Sequence, residues 1–269
     1  MKAARADEKD VNAPANLSCP ASSVQAKLPF EKVVLYQYDV CPFCNKVKAM
    51  LDFHGIPYDV VEVNPLTKSE LGFSEYKKVP VLMIDDEQFN DSSHIMKTLD
   101  DKMGVKGWMG KGKAAEDKEA KWAAWVDDRF VHVVTPNIYR TWAEAWRSFD
   151  YITERGNFGP VMKYAIRVAG ATSMYNISHY VLKKRHGIED ERAELYKALD
   201  DWMTNAVGKE AFCGGSAPNV ADLAVFGVLR AVKTFDTFTD AIENTDVGPW
   251  YKRMQKEVGV ACRTDGIEN

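Results

Sequence analysis

Cys41-Pro42-Phe43-Cys44 places two thiols three residues apart where an apolar strand-like run meets a helix-like one. A thiol at a helix start lies near unpaired backbone N–H groups and the positive end of the helix dipole, which favour its anion. Pro42 at the first helical position forfeits nothing, because that N–H lacks a partner anyway. Cys41 is therefore the expected nucleophile, partly exposed, and Cys44, one turn inward, the buried resolving thiol. Two structural cysteines are the competing reading. Zinc would need further paired ligands, but Cys19, Cys213 and Cys262 stand alone and there is no HxxxH, so no metal site is expected.

Two other places suit a ligand. Val79-Pro80 opens a strand. A cis bond there would turn the Val79 backbone outward, ready to pair with an extended peptide; an ordinary edge proline is the plain alternative. Asp91-Ser92-Ser93 precedes a helical run. It reads as an N-cap that also holds an α-amino acid head group, with the Ser92 hydroxyl and helix N–H groups on its carboxylate and Asp91 on its ammonium.

Several elements must position these residues. Residues 32–38 read as a strand and 41–55 as a helix closed by Gly55. Residues 56–63 and 79–85 read as strands, Gln88-Phe89 as a fourth, and 91–104 as a helix. This order, β-α-β-(α)-β-β-α, makes a small α/β layer with at least one crossover. Residues 1–29, with three prolines and no aromatic, read as a disordered leader, and glycine-rich 104–117 as a linker. Residues 118–260 carry 3.6-residue apolar spacing throughout and read as five to seven helices. The expected domains are thus 30–103 (α/β) and 118–260 (all-α). The apolar stretch 164–182 reads as a core helix, with a lipid-facing wall as the alternative. His54 reads as a core or helix-end residue, and Lys183 to His186 as a solvated helix terminus.

The 269 residues carry a net charge of −4, which speaks against a nucleic-acid binder or a polybasic membrane binder. No run reaches the roughly 18 apolar residues of a membrane span. Five cysteines are no disulfide scaffold, and their odd number leaves a free thiol, so a reducing compartment, cytoplasmic or an organelle lumen, is expected. The polar start shows no signal peptide.

CPFC, VP, DSS and the order of elements resemble the glutathione-binding branch of the thioredoxin superfamily. The helical region resembles the C-terminal domain of glutathione transferases, with Asn219 and Asp222 as its capping box. LYQYDVCPFCNKVKAMLDFHGIPYDVVEVNP, YKKVPVLM, NDSS, VHVVTPNIYRT, SFDYI and PNVADLAVFGVLR are similar to the type 2 prostaglandin E synthase family, across about residues 30–258. The resemblance implies a homodimeric isomerase converting prostaglandin H2 to prostaglandin E2, with glutathione, and haem with it, in one cleft. It implies Cys41 as the catalytic thiol, Tyr38 as its hydrogen-bonding tyrosine and Phe43 as a cleft wall. Val79, Pro80, Asp91 and Ser92 become the glutathione contacts. The partners are a lipid endoperoxide or other small electrophile, and membrane association is peripheral at most. A glutathione-dependent thiol-disulfide oxidoreductase or transferase of glutaredoxin type shares every motif and is the alternative.

Overall fold

The computed structural model describes residues 29–103, 112–151 and 159–267. Of the expected leader (1–29), residues 1–28 lie outside them, as does most of the expected linker (104–111).

Alternation of Val33, Leu35 and Gln37 inward makes β1 (Val33–Gln37) the centre of a four-stranded sheet. It pairs in parallel with β2 (Asp59–Glu62) and antiparallel with β3 (Val81–Ile84), which pairs with β4 (Glu87–Asn90), giving the order β2-β1-β3-β4. Asp85 turns the β3–β4 hairpin at φ 53°, and its Oδ1 accepts the N–H groups of Glu31 and Lys32, both at 2.9 Å. Helix α1 (Pro42–Phe53) ends at Gly55, φ 64°, the left-handed terminator expected there. Helix α2 (Ser92–Met103) completes this layer.

Helix α3 spans Lys113–Trp125, so residues 113–117, expected in the linker, are helical. Lys113-Ala114-Ala115-Glu116 are strong helix formers, and the break falls at Gly112, φ 111°. Helix α3 runs through a wide turn at Val126–Phe130 into α4 (Val131–Ile138), and α5 covers Trp142–Arg147. Helix α6 (Pro160–Ile177) passes through a similar turn, Ser178–Leu182, into α7 (Lys183–His186). Then come α8 (Glu191–Asp201), α9 (Val220–Arg230), α10 (Asp236–Asn244) and α11 (Val247–Val258). Counting continuous rods, the described residues hold seven in this region, within the expected range.

Helix α6 does not behave as a core helix. Of its own residues only Ile166, Gly170 and Ala171 are buried, while Val161 and Tyr164 are 82% and 68% exposed. Apolar spacing reports which residues share a face, not whether anything covers it. Cys262, read as standing alone, is disulfide-bonded. Spacing within a motif does not reveal such pairings. Cys41, Cys44 and Cys213 are free thiols. No helix among the described residues is long and apolar enough to cross a membrane.

Helix α1 is wedged between the sheet and α9, so ten of its twelve residues are buried, charged ones included. Each buried charge has a partner: Lys46 with Asp127 and Ser93, Lys48 with Asp39, and Asp52 with Arg230 at 2.7 Å and Tyr58 at 3.1 Å. The expected capping box holds α9: Asn219 accepts from the Asp222 N–H, and Asp222 from the Asn219 N–H. Asp222 also accepts Cys213 N–H, Gly214 N–H and Trp250 Nε1–H, each at 3.0 Å. Gly227 lets α9 touch the α1 backbone, since a Cβ there would lie 2.5 Å from the Asn45 carbonyl oxygen. Gly227→Ala should cost about 1–3 kcal/mol and lower the melting temperature by several degrees. An unchanged melting curve would mean the two helices do not meet this closely in solution.

Candidate active site

Cys41 is the N-cap residue of α1 (φ −73°, ψ 120°). Its N–H donates to the Tyr38 carbonyl at 3.0 Å, which closes the turn after β1. Its own carbonyl accepts the Asn45 N–H at 3.0 Å. The Asn45 side chain donates to the carbonyls of Asp39 (2.7 Å) and Cys41 (3.1 Å), clamping the turn from inside. Cys41 is partly exposed, Cys44 fully buried and Phe43 half-buried.

The Cys41 thiol is pulled below the ordinary cysteine value. A hydrogen bond from the Cys44 thiol contributes most, the N–H groups of Cys44 and Phe43 add to it, and the Lys48 ammonium helps, while burial opposes. These N–H groups are orphans of the first helical turn, aimed outward for want of a preceding turn. Cys44 is pushed well up, by burial first and then by its bond to Cys41. The proton shared by the pair thus resides on the inner sulfur.

Tyr38, Tyr76 and Tyr139 surround the thiols, and each hydroxyl is raised by burial and by the negative charge at Cys41. Burial pushes Tyr38 up to about 12. The bond that the resemblance implies from the Tyr38 hydroxyl to the Cys41 thiol is not formed. The link between these residues runs through backbone, and the sulfur takes its donors from Cys44 and Phe43. Tyr139 ends α4 within the stretch VHVVTPNIYRT, which carried the family resemblance without assigning this tyrosine a role.

The Val79–Pro80 bond is cis. The described residues engage neither the N–H nor the C=O of Val79. Asp91 has φ 69°, and its Oδ1 accepts the N–H groups of Ser93 (3.0 Å) and His94 (3.1 Å), so it caps α2. Its other oxygen is not used in the cap. Ser92 is buried, and the charges of Asp91 and of the two thiols all act on the Tyr76 hydroxyl. Tyr38, Tyr76 and Val79 pack on one small cluster of Val63, Leu71 and Val81. A recess of about 220 Å³ opens beside the turn, between Asp39-Val40 and Arg147, Tyr151 and Phe235.

Beneath the turn lies a charge cluster that sequence reasoning missed. Asp39 faces Lys48 at 3.3 Å and Arg263 at 3.8 Å. Arg263 comes from the segment after α11, which bridges to Tyr58 next to β2. Gln37 donates to Glu62 at 2.6 Å, and the other Glu62 oxygen is buried without a partner. Burial, reinforced by Asp39, raises the Glu62 carboxyl to about 7. Elsewhere, His132 and His186 stack with ring centroids 4.0 Å apart, a pairing their sequence separation hides. The basic residues at the end of α7 are exposed or half-exposed, as a solvated helix terminus should be.

A carboxyl near 7 when folded, and in the ordinary range when unfolded, binds its proton more tightly in the native state. Its stabilising contribution is whole below the unfolded value and is lost as pH rises through about 7. Glu62→Gln should therefore lose less stability than the parent chain between about pH 5 and 8, by denaturant titration at each pH. Identical slopes would remove Glu62 from this role.

The family description "Glutathione S-transferase, N-terminal domain" matches residues 35–107. The chain is 41% identical to prostaglandin E synthase 2 of Mus musculus, over 87% of this chain and 73% of that protein. It is 42% identical to prostaglandin E synthase 2 of Danio rerio, over 84% of this chain and 71% of that one. Among solved structures it resembles the beta-etherase LigF from Sphingobium sp. strain SYK-6 (TM-score 0.60, 16% identity, covering 85% of this chain and 98% of that one). It also resembles glutathione transferase F2 from Populus trichocarpa (TM-score 0.56, 16% identity, covering 84% and 96%). At such identities these structures speak for the fold: a thioredoxin-like layer followed by a helical region, as in glutathione transferases.

Proposed function

We propose that this chain, which belongs to the prostaglandin E synthase 2 family, isomerises the endoperoxide of prostaglandin H2 to the hydroxyketone of prostaglandin E2 with Cys41 as nucleophile. By family membership it is an enzyme of the isomerase type. The observation that carries the reading is the thiol of a partly exposed residue, Cys41, held below its ordinary value at a helix start, among tyrosines that keep their protons.

An O–O bond is weak and polarisable, and a soft thiolate suits it. The Cys41 sulfur attacks one ring oxygen, forming S–O and breaking O–O. The Tyr38 hydroxyl protonates the released oxygen, which becomes the product hydroxyl. The tyrosinate then takes the proton from the carbon bearing the sulfur-bound oxygen. The C–H electrons form the ketone, S–O breaks, and the thiolate returns. No electrons are gained or lost overall.

Glutathione fits the corner beside Cys41. The open backbone of Val79 suits its peptide, and the Ser92 hydroxyl with the free Asp91 oxygen suits its amino acid head group. Pro80 fixes the chain next to Val79 and Phe43 lines the cleft. Glutathione supplies a second thiol when bound. The stacked pair His132 and His186 is assigned no role in holding haem. No step of the proposed reaction passes through it. The reading includes a homodimer, a reducing compartment and at most peripheral membrane contact.

The hydrogen-bonded Cys41–Cys44 pair supports a second reading, a glutathione-dependent thiol-disulfide oxidoreductase, because a resolving thiol lies in reach. Product analysis separates the two. Cys41→Ser should abolish conversion of prostaglandin H2, with the circular dichroism unchanged. Cys44→Ser should retain it and lose disulfide turnover. Near-normal isomerisation by Cys41→Ser would exclude the thiolate mechanism. Disulfide turnover with no isomerisation in the parent chain would favour the second reading.

A further inference from the structure

Helix α6 and the turn that continues it carry a concentration of uncovered apolar surface. Nine large apolar side chains are exposed among the described residues, and seven of them gather here. Val161, Met162 and Tyr164 stand at the start of the rod. Ile177, Tyr180 and Val181 stand at its end, so that the two groups span about 30 Å at 1.5 Å per residue. Trp142 of α5, edge-on to Tyr175, extends the patch. Between the two ends the exposed stripe is Ala165, Ala169, Thr172, Ser173 and Asn176, at the spacing of one helix side. Ile166, Gly170 and Ala171 point the other way, into the protein.

We propose that this face is a two-fold interface, on which α6 of a second copy of this chain packs in the opposite direction.

Three observations carry it. The first is area. Each of the seven side chains is between 39% and 82% exposed. At roughly 150–250 Å² for a large side chain, they leave on the order of 700 Å² open. The largest patch on a typical monomer is about 300–600 Å², whereas a stable interface covers about 800 Å² per partner.

The second is shape. An antiparallel pair brings the start of one rod to the end of the other and the two centres together, so one patch serves as both halves of the contact. Helices cross at an angle, and they approach most closely where the side chains are small. Ala165, Ala169 and Ser173 stand at that centre, and the large side chains lie at the ends, where the rods diverge and leave room for them.

The third is polarity. From Tyr164 to Leu182 the one Asp, Glu, Lys or Arg is Arg167, which is paired with Asp150 and held over the Trp146 ring. Two copies therefore meet without facing like charges. Thr172 and Asn176 already donate to the carbonyls of Val168 and Thr172, both at 2.7 Å, so covering them strands no donor. An anionic lipid surface fits less well. The exposed cations Lys184 and Arg185 lie past the end of the face, and its middle is polar. The proposal names the surface behind the homodimer of the functional reading and is independent of the isomerisation itself.

The test is sedimentation of the full chain over a range of concentrations, with Ala169→Glu and Ala169→Lys as variants. Ala169 is exposed in the single chain, so either change leaves the fold intact, as circular dichroism checks. The parent should sediment near twice the chain mass of 30.3 kDa. Each variant alone should raise the dimer dissociation constant about tenfold or more, and an equimolar mixture of the two should restore the dimer. A variant pair that stays as dimeric as the parent would overturn the proposal and leave the homodimer to another face. A monomeric parent would overturn both, and pelleting of that monomer with phosphatidylcholine–phosphatidylserine vesicles would assign the face to lipid instead. Turnover of prostaglandin H2, assayed on the same samples, decides the isomerase reading separately.

Discussion

A thiol held below its ordinary value at the start of α1 is the constraint on which the functional account rests. It is stable only while three donors, the Cys44 thiol and the N–H groups of Phe43 and Cys44, converge on it. The helix start supplies two of them without cost, because no earlier turn competes for them. The third comes from a neighbour whose own ionisation burial forbids. Three residues fix two opposite acid strengths, and the split between them is what isomerase and oxidoreductase readings alike require.

Holding the sulfur there is work for the rest of the molecule. The β1–α1 turn is clamped by the Asn45 amide and braced from below by Asp39 with Lys48 and Arg263. Along its length α1 is pressed against α9 at Gly227, and at its far end Asp52 ties it to Arg230. The helical region therefore sets where α1 can sit and supplies Tyr139 beside the thiol. The α/β layer carries Cys41 and the expected glutathione contacts. Neither part makes the site alone.

What could be read in the sequence followed from local rules. Strand alternation around Leu35, proline at the start of α1, the left-handed Gly55, the cis Val79–Pro80 bond and the Asn219–Asp222 capping box each depend on neighbours within a few residues. What could not be read depends on partners far along the chain. Lys46 and Lys48 look solvent-facing in sequence, and it takes Asp127 and Asp39, folded against them, to make their burial tolerable. Arg230 meets Asp52 from 178 residues away. The exposure of α6 was misread because periodicity identifies a face and is silent about what lies against it. At the site, the place of Cys41 at a helix start and the cap at Asp91 were legible, but the route from Tyr38 to Cys41 was not. It depends on which way a side chain points once the turn has closed.

Alkylation of Cys41 by iodoacetamide as a function of pH, with modification located by peptide mass analysis, measures the ionised sulfur most directly. The account predicts a midpoint below that of an ordinary cysteine thiol, with Cys44 unmodified across the same range. A midpoint at or above the ordinary value, or modification of Cys44 in step with Cys41, would contradict it.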